Sequence, residues 1–138
     1  MGTVWKELEA NISRAVKLPR GAVAVGFLDA VPEEMQQFKG TEPSGCSFWR
    51  LAAAGKSFYT VPQNHFNCAV GAYTHNIPLS PEREKETEQT LKMMFDLGYV
   101  PRLAKTPVAI AYAPLGDATF APDAVLFACK ASRAMLLK

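Results

Sequence analysis

Apolar positions Val4, Leu8, Ile12 and Ala15/Val16 recur every three to four residues, with Lys6, Glu7, Glu9 and Arg14 between them. That spacing predicts an amphipathic helix over Thr3–Lys17, stopped by Pro19 and Gly21. The following run, Ala22 to Leu28, is apolar almost throughout, the pattern of a buried strand. Pro32, Glu33 and Glu34 have the composition of a helix start and Gly40 that of a stop, which predicts a helix between Asp29 and Lys39. After a loop at 41–45, Ser44 is the expected N-cap of a helix from Gly45 to Ala54, ended by Gly55. Ser57 to Val61 is β-branched and aromatic and predicts a strand closed by Pro62.

Asn64 to Asn76 carries helical spacing despite Gly71, a residue that costs about 1 kcal/mol relative to Ala inside a helix. The strongest helix signal runs from Ser80 to Leu97. Ser80 caps it, Pro81 takes the first position, and Glu82 and Glu84 meet the positive end of the dipole. Thr87, Leu91, Met94 and Phe95 make its buried stripe, and Glu88 and Lys92 are placed to pair. Val108–Tyr112 and Ala124–Cys129 predict two more strands, and Ala131–Leu137 a last short helix. This alternation predicts an α/β domain, with α+β as the neighbouring possibility: a mixed sheet of about four strands with helices packed on it.

Composition narrows the function classes. The chain has 138 residues, 49% of them hydrophobic, enough for a single domain over 1–138 with its own core. Fifteen Lys+Arg against 13 Asp+Glu leave +2, too small an imbalance to point to nucleic acid. No stretch approaches the roughly 20 apolar residues of a membrane-spanning helix. The first residues carry acids early and lack the basic-then-apolar order of a signal peptide. Cys46, Cys68 and Cys129 are an odd number and widely separated, which argues against a disulfide framework. Cytoplasmic residence is the expectation.

The sequence carries no phosphate loop, dinucleotide fingerprint, nucleophile elbow, zincin pair or C-x-x-C. What it concentrates is soft ligands: Cys46, then His65 and Cys68, then His75. On a continuous helix His65, Cys68, Ala72 and His75 share one stripe, and Phe66, Val70, Tyr73 and Ile77 fall nearly opposite. The apolar stripe is then expected to face the core and the His/Cys stripe to face solvent, a cofactor or a partner. His65 and Cys68 can share a metal at that spacing. His65 and His75 cannot, since ten residues of straight helix span about 15 Å. The expected metal ligands are therefore Cys46, His65 and Cys68, with Cys129 and His75 as weaker candidates, for an iron–sulfur cluster, haem or zinc. Cys129 also reads as a core residue, since it follows five apolar positions.

Cys46, near a helix start and one turn from Arg50, also suits a nucleophilic or redox thiol with His65 as base. Cys46 and Arg50, with Trp49 and Tyr59 among the aromatics near these polar groups, are candidates to line a cofactor pocket. A non-catalytic interaction domain with structural cysteines is the third reading. Arg102, Lys105, Lys130 and Arg133 read as scattered surface charge.

The segments Gly45-Cys-Ser-Phe-Trp-Arg50, Phe58-Tyr-Thr-Val-Pro62 and His65-Phe-Asn-Cys-Ala-Val-Gly-Ala-Tyr-Thr-His75 resemble an uncharacterised prokaryotic family, domain of unknown function 169. Lys105-Thr-Pro107, Tyr112-Ala-Pro114 and Ala131-Ser-Arg-Ala-Met135 extend the resemblance over nearly the whole chain. It brings no settled activity. Ala69 stands where the family often has proline, and its members usually continue into a Gly/Cys-containing second half beyond the position of Lys138. The resemblance therefore implies a shortened member, an N-terminal part, or one half of an assembly such as a homodimer.

Overall fold

A computed structural model describes residues 2–40, 42–98 and 100–136, apart from the side chains of 93–95. Strands β1 (Val23–Leu28), β2 (Phe58–Thr60), β3 (Ala109–Pro114) and β4 (Ala124–Leu126) form one sheet in the order β2-β3-β1-β4. Among the described residues five helices accompany them: α1 (Gly2–Val16), α2 (Cys46–Ala53), α3 (Ala69–Thr74), α4 (Pro81–Asp96) and α5 (Ala131–Ala134). The architecture is α/β, as the sequence predicts. The three ladders are antiparallel, with Val25 and Phe58 both opposite Tyr112, where a mixed sheet was expected. Among the described residues parallel pairing is confined to an isolated bridge between Gln37 and Tyr59.

Side chains alternate across a strand, and here the alternation sorts them by size. Val23, Val25, Ile110 and Tyr112 point to one face, where Phe58 and the α2 residues Phe48 and Ala52 complete a core. Ala22, Ala24 and Ala113 point to the other, where Leu115, Ala118 and the α1 residues Trp5 and Ile12 cover them. Small residues let α1 approach closely, and Glu9 fastens it by accepting the Gly116 N–H at 3.0 Å.

Gly26 belongs to the small face: a Cβ there would lie 2.7 and 2.9 Å from two Phe120 ring carbons. Gly26→Ala is expected to cost about 1–3 kcal/mol through displacement of that ring. Urea denaturation checks this, and the cost should shrink when Phe120→Ala is already present.

Several predicted elements differ. No helix forms over 29–39. Instead Phe38 inserts between Phe48 and Phe58, at ring separations of 5.2 and 5.4 Å. The backbone there also exchanges Phe38 N–H to Tyr59 O and Tyr59 N–H to Gln36 O, which covers the outer edge of β2. Burial of Phe38 and satisfaction of a sheet edge override the local helix signal. Ser44 makes no side-chain cap on α2, whose N-cap is Gly45.

The α4 expectations hold at Ser80, whose hydroxyl accepts the Arg83 N–H, and at Thr87 and Leu91, both buried. The predicted contribution of Met94 and Phe95 lies outside the described side chains, as does Leu137 at the last helix. Lys92 pairs with Asp96 at 3.1 Å rather than with Glu88, using the same four-residue spacing in the other direction. Among the described residues no helix is long and apolar enough to cross a membrane.

Candidate functional site

The segment expected to be one helix from Asn64 to Asn76 is two pieces. Pro62–His65 forms a 3-10 turn, locked where Asn64 Oδ1 accepts the Val61 N–H at 2.9 Å. Cys68 then takes extended backbone angles, φ −115° and ψ 95°, and restarts the chain as the N-cap of α3, its Sγ accepting the Gly71 N–H. This break inverts the expected orientation for part of the segment, while Ile77 is buried as expected. His65 and Ala72 are buried in the interior, and Phe66 and Val70 are exposed.

The break also reverses the expected separation of the histidines. His65 and His75 are not held about 15 Å apart by straight helix. Their ring centroids lie 5.4 Å apart. Phe48 packs against His65 at 4.9 Å and Phe27 meets His75 edge-on at 5.6 Å, so the pair is walled by aromatic carbon. His65 Nε2 contacts Thr60 Oγ1 at 2.8 Å, and His75 Nδ1 contacts the Gly71 carbonyl at 2.6 Å. Among the described residues His65 Nδ1 is buried with no hydrogen-bond partner.

Burial, and secondarily the neighbouring His75, lowers the His65 pKa from 6.5 to about 4. Burial lowers His75 as well, opposed by its bond to Gly71. Both rings are therefore neutral at pH 7. Burial also raises the Tyr112 pKa, opposed by a hydrogen bond to Thr60.

The cysteines do not join this pair into a ligand set. Cys46 is exposed at the start of α2, Cys68 is engaged at the start of α3, and Cys129 lies half-buried between β4 and α5; all three are free thiols. Among the described residues, no three His, Cys, Asp or Glu side chains gather in a way that could hold a metal ion. The expected set of Cys46, His65 and Cys68, with Cys129 and His75, is thus not assembled as predicted. The tertiary fold points Cys46 outward and the two histidines inward.

Of the four expected pocket residues, Trp49 and Arg50 meet, while Cys46 does not line their cleft. Trp49 and Arg50, exposed on consecutive positions of α2, line a cleft of about 320 Å³ with Arg20, Val23, Leu126 and Phe127. A second cleft of about 350 Å³ shares Arg20 and Arg50 and continues past Glu42 and Ser47. Among the described residues neither arginine makes an ion pair within 4.0 Å. Tyr59 is elsewhere, buried in β2.

Sequence reasoning missed Arg20 and Thr60. An arginine between Pro19 and Gly21 and a threonine inside a strand carry no local mark of a site. Arg102 and Lys105, read as scattered charge, have ordinary surface partners: Arg102 lies over the Tyr73 ring and Lys105 pairs with Asp29.

The profile of domain of unknown function 169, described as an uncharacterised ArCR family, matches residues 11–138. No curated protein and no solved structure matches the chain significantly.

Proposed function

The chain belongs to this uncharacterised family, and we propose that it is a small-molecule-binding domain whose ligand joins an apolar, flat body to an anionic head. The observation that carries this reading is that Arg20 and Arg50 line both clefts and Trp49 joins them in the first. Val23, Leu126 and Phe127 supply apolar wall on one side of the arginines. Ser47 and Glu42 supply polar wall on the other.

A guanidinium binds carboxylate or phosphate through paired N–H donors, and indole offers a face for stacking. A volume of about 320 Å³ sits at the small end of ligand sites, which run from about 300 to 1,000 Å³. An aryl or acyl carboxylate or phosphate ester fits both the size and the charge.

Titration with 1-naphthyl phosphate, followed by tryptophan fluorescence and thermal shift, tests this. Saturable binding is expected, with neutral 1-naphthol markedly weaker. Arg50→Gln should lower affinity by roughly tenfold, since these guanidinium groups are exposed and their bonds are partly screened. Equal binding of naphthol and the phosphate, or an unchanged affinity in both Arg50→Gln and Arg20→Gln, would sink the reading.

Metal binding is a second reading, favoured by one separate observation, the 5.4 Å approach of the His65 and His75 rings. A thiol reaction at Cys46 with His65 as base has no comparable support, since His65 is buried and Cys46 is exposed.

A further inference from the structure

We infer that His65 and His75 form a two-nitrogen site for a borderline transition-metal ion of the Zn2+ class, with His65 Nδ1 and His75 Nε2 as the ligating atoms. Metal binding here requires one tautomer of each ring. In His65 it is the one in which Nε2–H donates to Thr60 Oγ1 at 2.8 Å, the Thr60 hydroxyl donates to Ile110 O at 3.3 Å, and Nδ1 keeps a bare lone pair. In His75 the hydrogen bond itself sets it: a carbonyl oxygen only accepts, so Nδ1–H donates to the Gly71 carbonyl at 2.6 Å and Nε2 keeps a bare lone pair.

Metal-bound histidines typically donate their other ring N–H to a carbonyl or similar acceptor, which fixes the tautomer and makes the free nitrogen a better ligand. In these tautomers both histidines have that arrangement. One of the bare nitrogens, His65 Nδ1, is also buried without a partner among the described residues, on a side chain only 1% exposed. A buried acceptor left unmet costs about 1–3 kcal/mol, and an ion would meet it.

The spacing agrees. Two imidazoles on one tetrahedral Zn2+, with Zn–N near 2.0 Å, put their ring centres about 5 Å apart. The observed separation is 5.4 Å. Nitrogen ligands with no carboxylate gathered beside them among the described residues favour Zn2+ or its neighbours over hard cations such as Mg2+ or Ca2+. Water or another small ligand would fill the remaining positions. Half-buried His75 gives the site its opening, since His65 is enclosed. None of the residues lining the arginine clefts takes part, so the two sites stand or fall separately.

The test is a Zn2+ titration of the metal-free, 15N-histidine-labelled chain, followed by two-bond 1H–15N spectra. Before metal, His65 should show a protonated Nε2 and His75 a protonated Nδ1. One equivalent of Zn2+ should then shift the two unprotonated nitrogens far more than the protonated ones. His75→Gln should weaken binding by at least about tenfold, while Cys46→Ser and Cys68→Ser should leave it unchanged. Should His75→Gln not fold, the imidazole shifts of the wild-type chain decide alone. The inference is overturned by the opposite His65 tautomer, by unmoved ring nitrogens at saturating Zn2+, or by a Zn2+ affinity that follows the cysteines instead of His75.

Discussion

Replacing Phe48 by alanine is expected to remove about 3–5 kcal/mol of stability. The ring is 1% exposed and sits at the junction of four others: Phe38 at 5.2 Å, Phe58 at 6.1 Å, His65 at 4.9 Å and Tyr112 at 5.5 Å. Truncation loses the transfer energy of the phenyl group and leaves a void that neighbours on four different segments cannot jointly close. Domains of this size hold only about 5–15 kcal/mol in total, so a large share of the margin goes. Trp49 is the internal control. It follows Phe48 on the same helix but is 42% exposed, and Trp49→Ala should cost far less while weakening naphthyl phosphate binding. Urea denaturation of both variants checks the contrast, and similar midpoints for the two would contradict the assignment of the core.

Acidification gives the second large effect. His65 titrates at about 4 in the folded chain against 6.5 unfolded, so between these values the unfolded state binds the extra proton. Its contribution is fully present above pH 6.5 and is lost as pH falls through the window toward 4. A shift of that size corresponds to about 3 kcal/mol. The groups around the ring reinforce the sign: His75 repels a second positive charge, and the Phe48 ring beside it offers no solvation.

The expected result is a urea midpoint that drops steadily from pH 7 to 4.5, with a much flatter profile for His65→Gln. If the two profiles run parallel, the histidine is not the origin. Bound Zn2+ should move the loss to lower pH, because the proton must then compete with the metal for Nδ1.

The elements most legible in the sequence were those whose signal is local and complete. The α1 periodicity, the apolar run of β1 and the Ser80-Pro81 opening of α4 each contain their own start, face or stop, and each forms within a residue or two of its expected limits. Misread segments are those where a distant partner outbids local preference. Residues 29–39 have helix-like composition, but Phe38 gains a place among Phe48 and Phe58 and the backbone gains the free edge of β2.

At the candidate sites the same rule applies. His65, His75, Trp49 and Arg50 could be singled out as chemistry-bearing residue types. Which of them meet could not, because the answer turns on a reversal at 66–68 that periodicity does not encode.

By itself, then, the sequence determined an α/β domain, the strands that can be buried, the strongest helix and the family resemblance, because burial patterns and caps act within a few residues along the chain. The tertiary structure alone decided the pairing of β1 with β3 and β4, the inward turn of His65 and His75, the outward turn of Cys46, and the meeting of Arg20 with Arg50. Those are contacts between residues far apart in the chain or across a break in a helix. Their energy comes from filling one shared core and satisfying one shared sheet, quantities that no local window of residues contains.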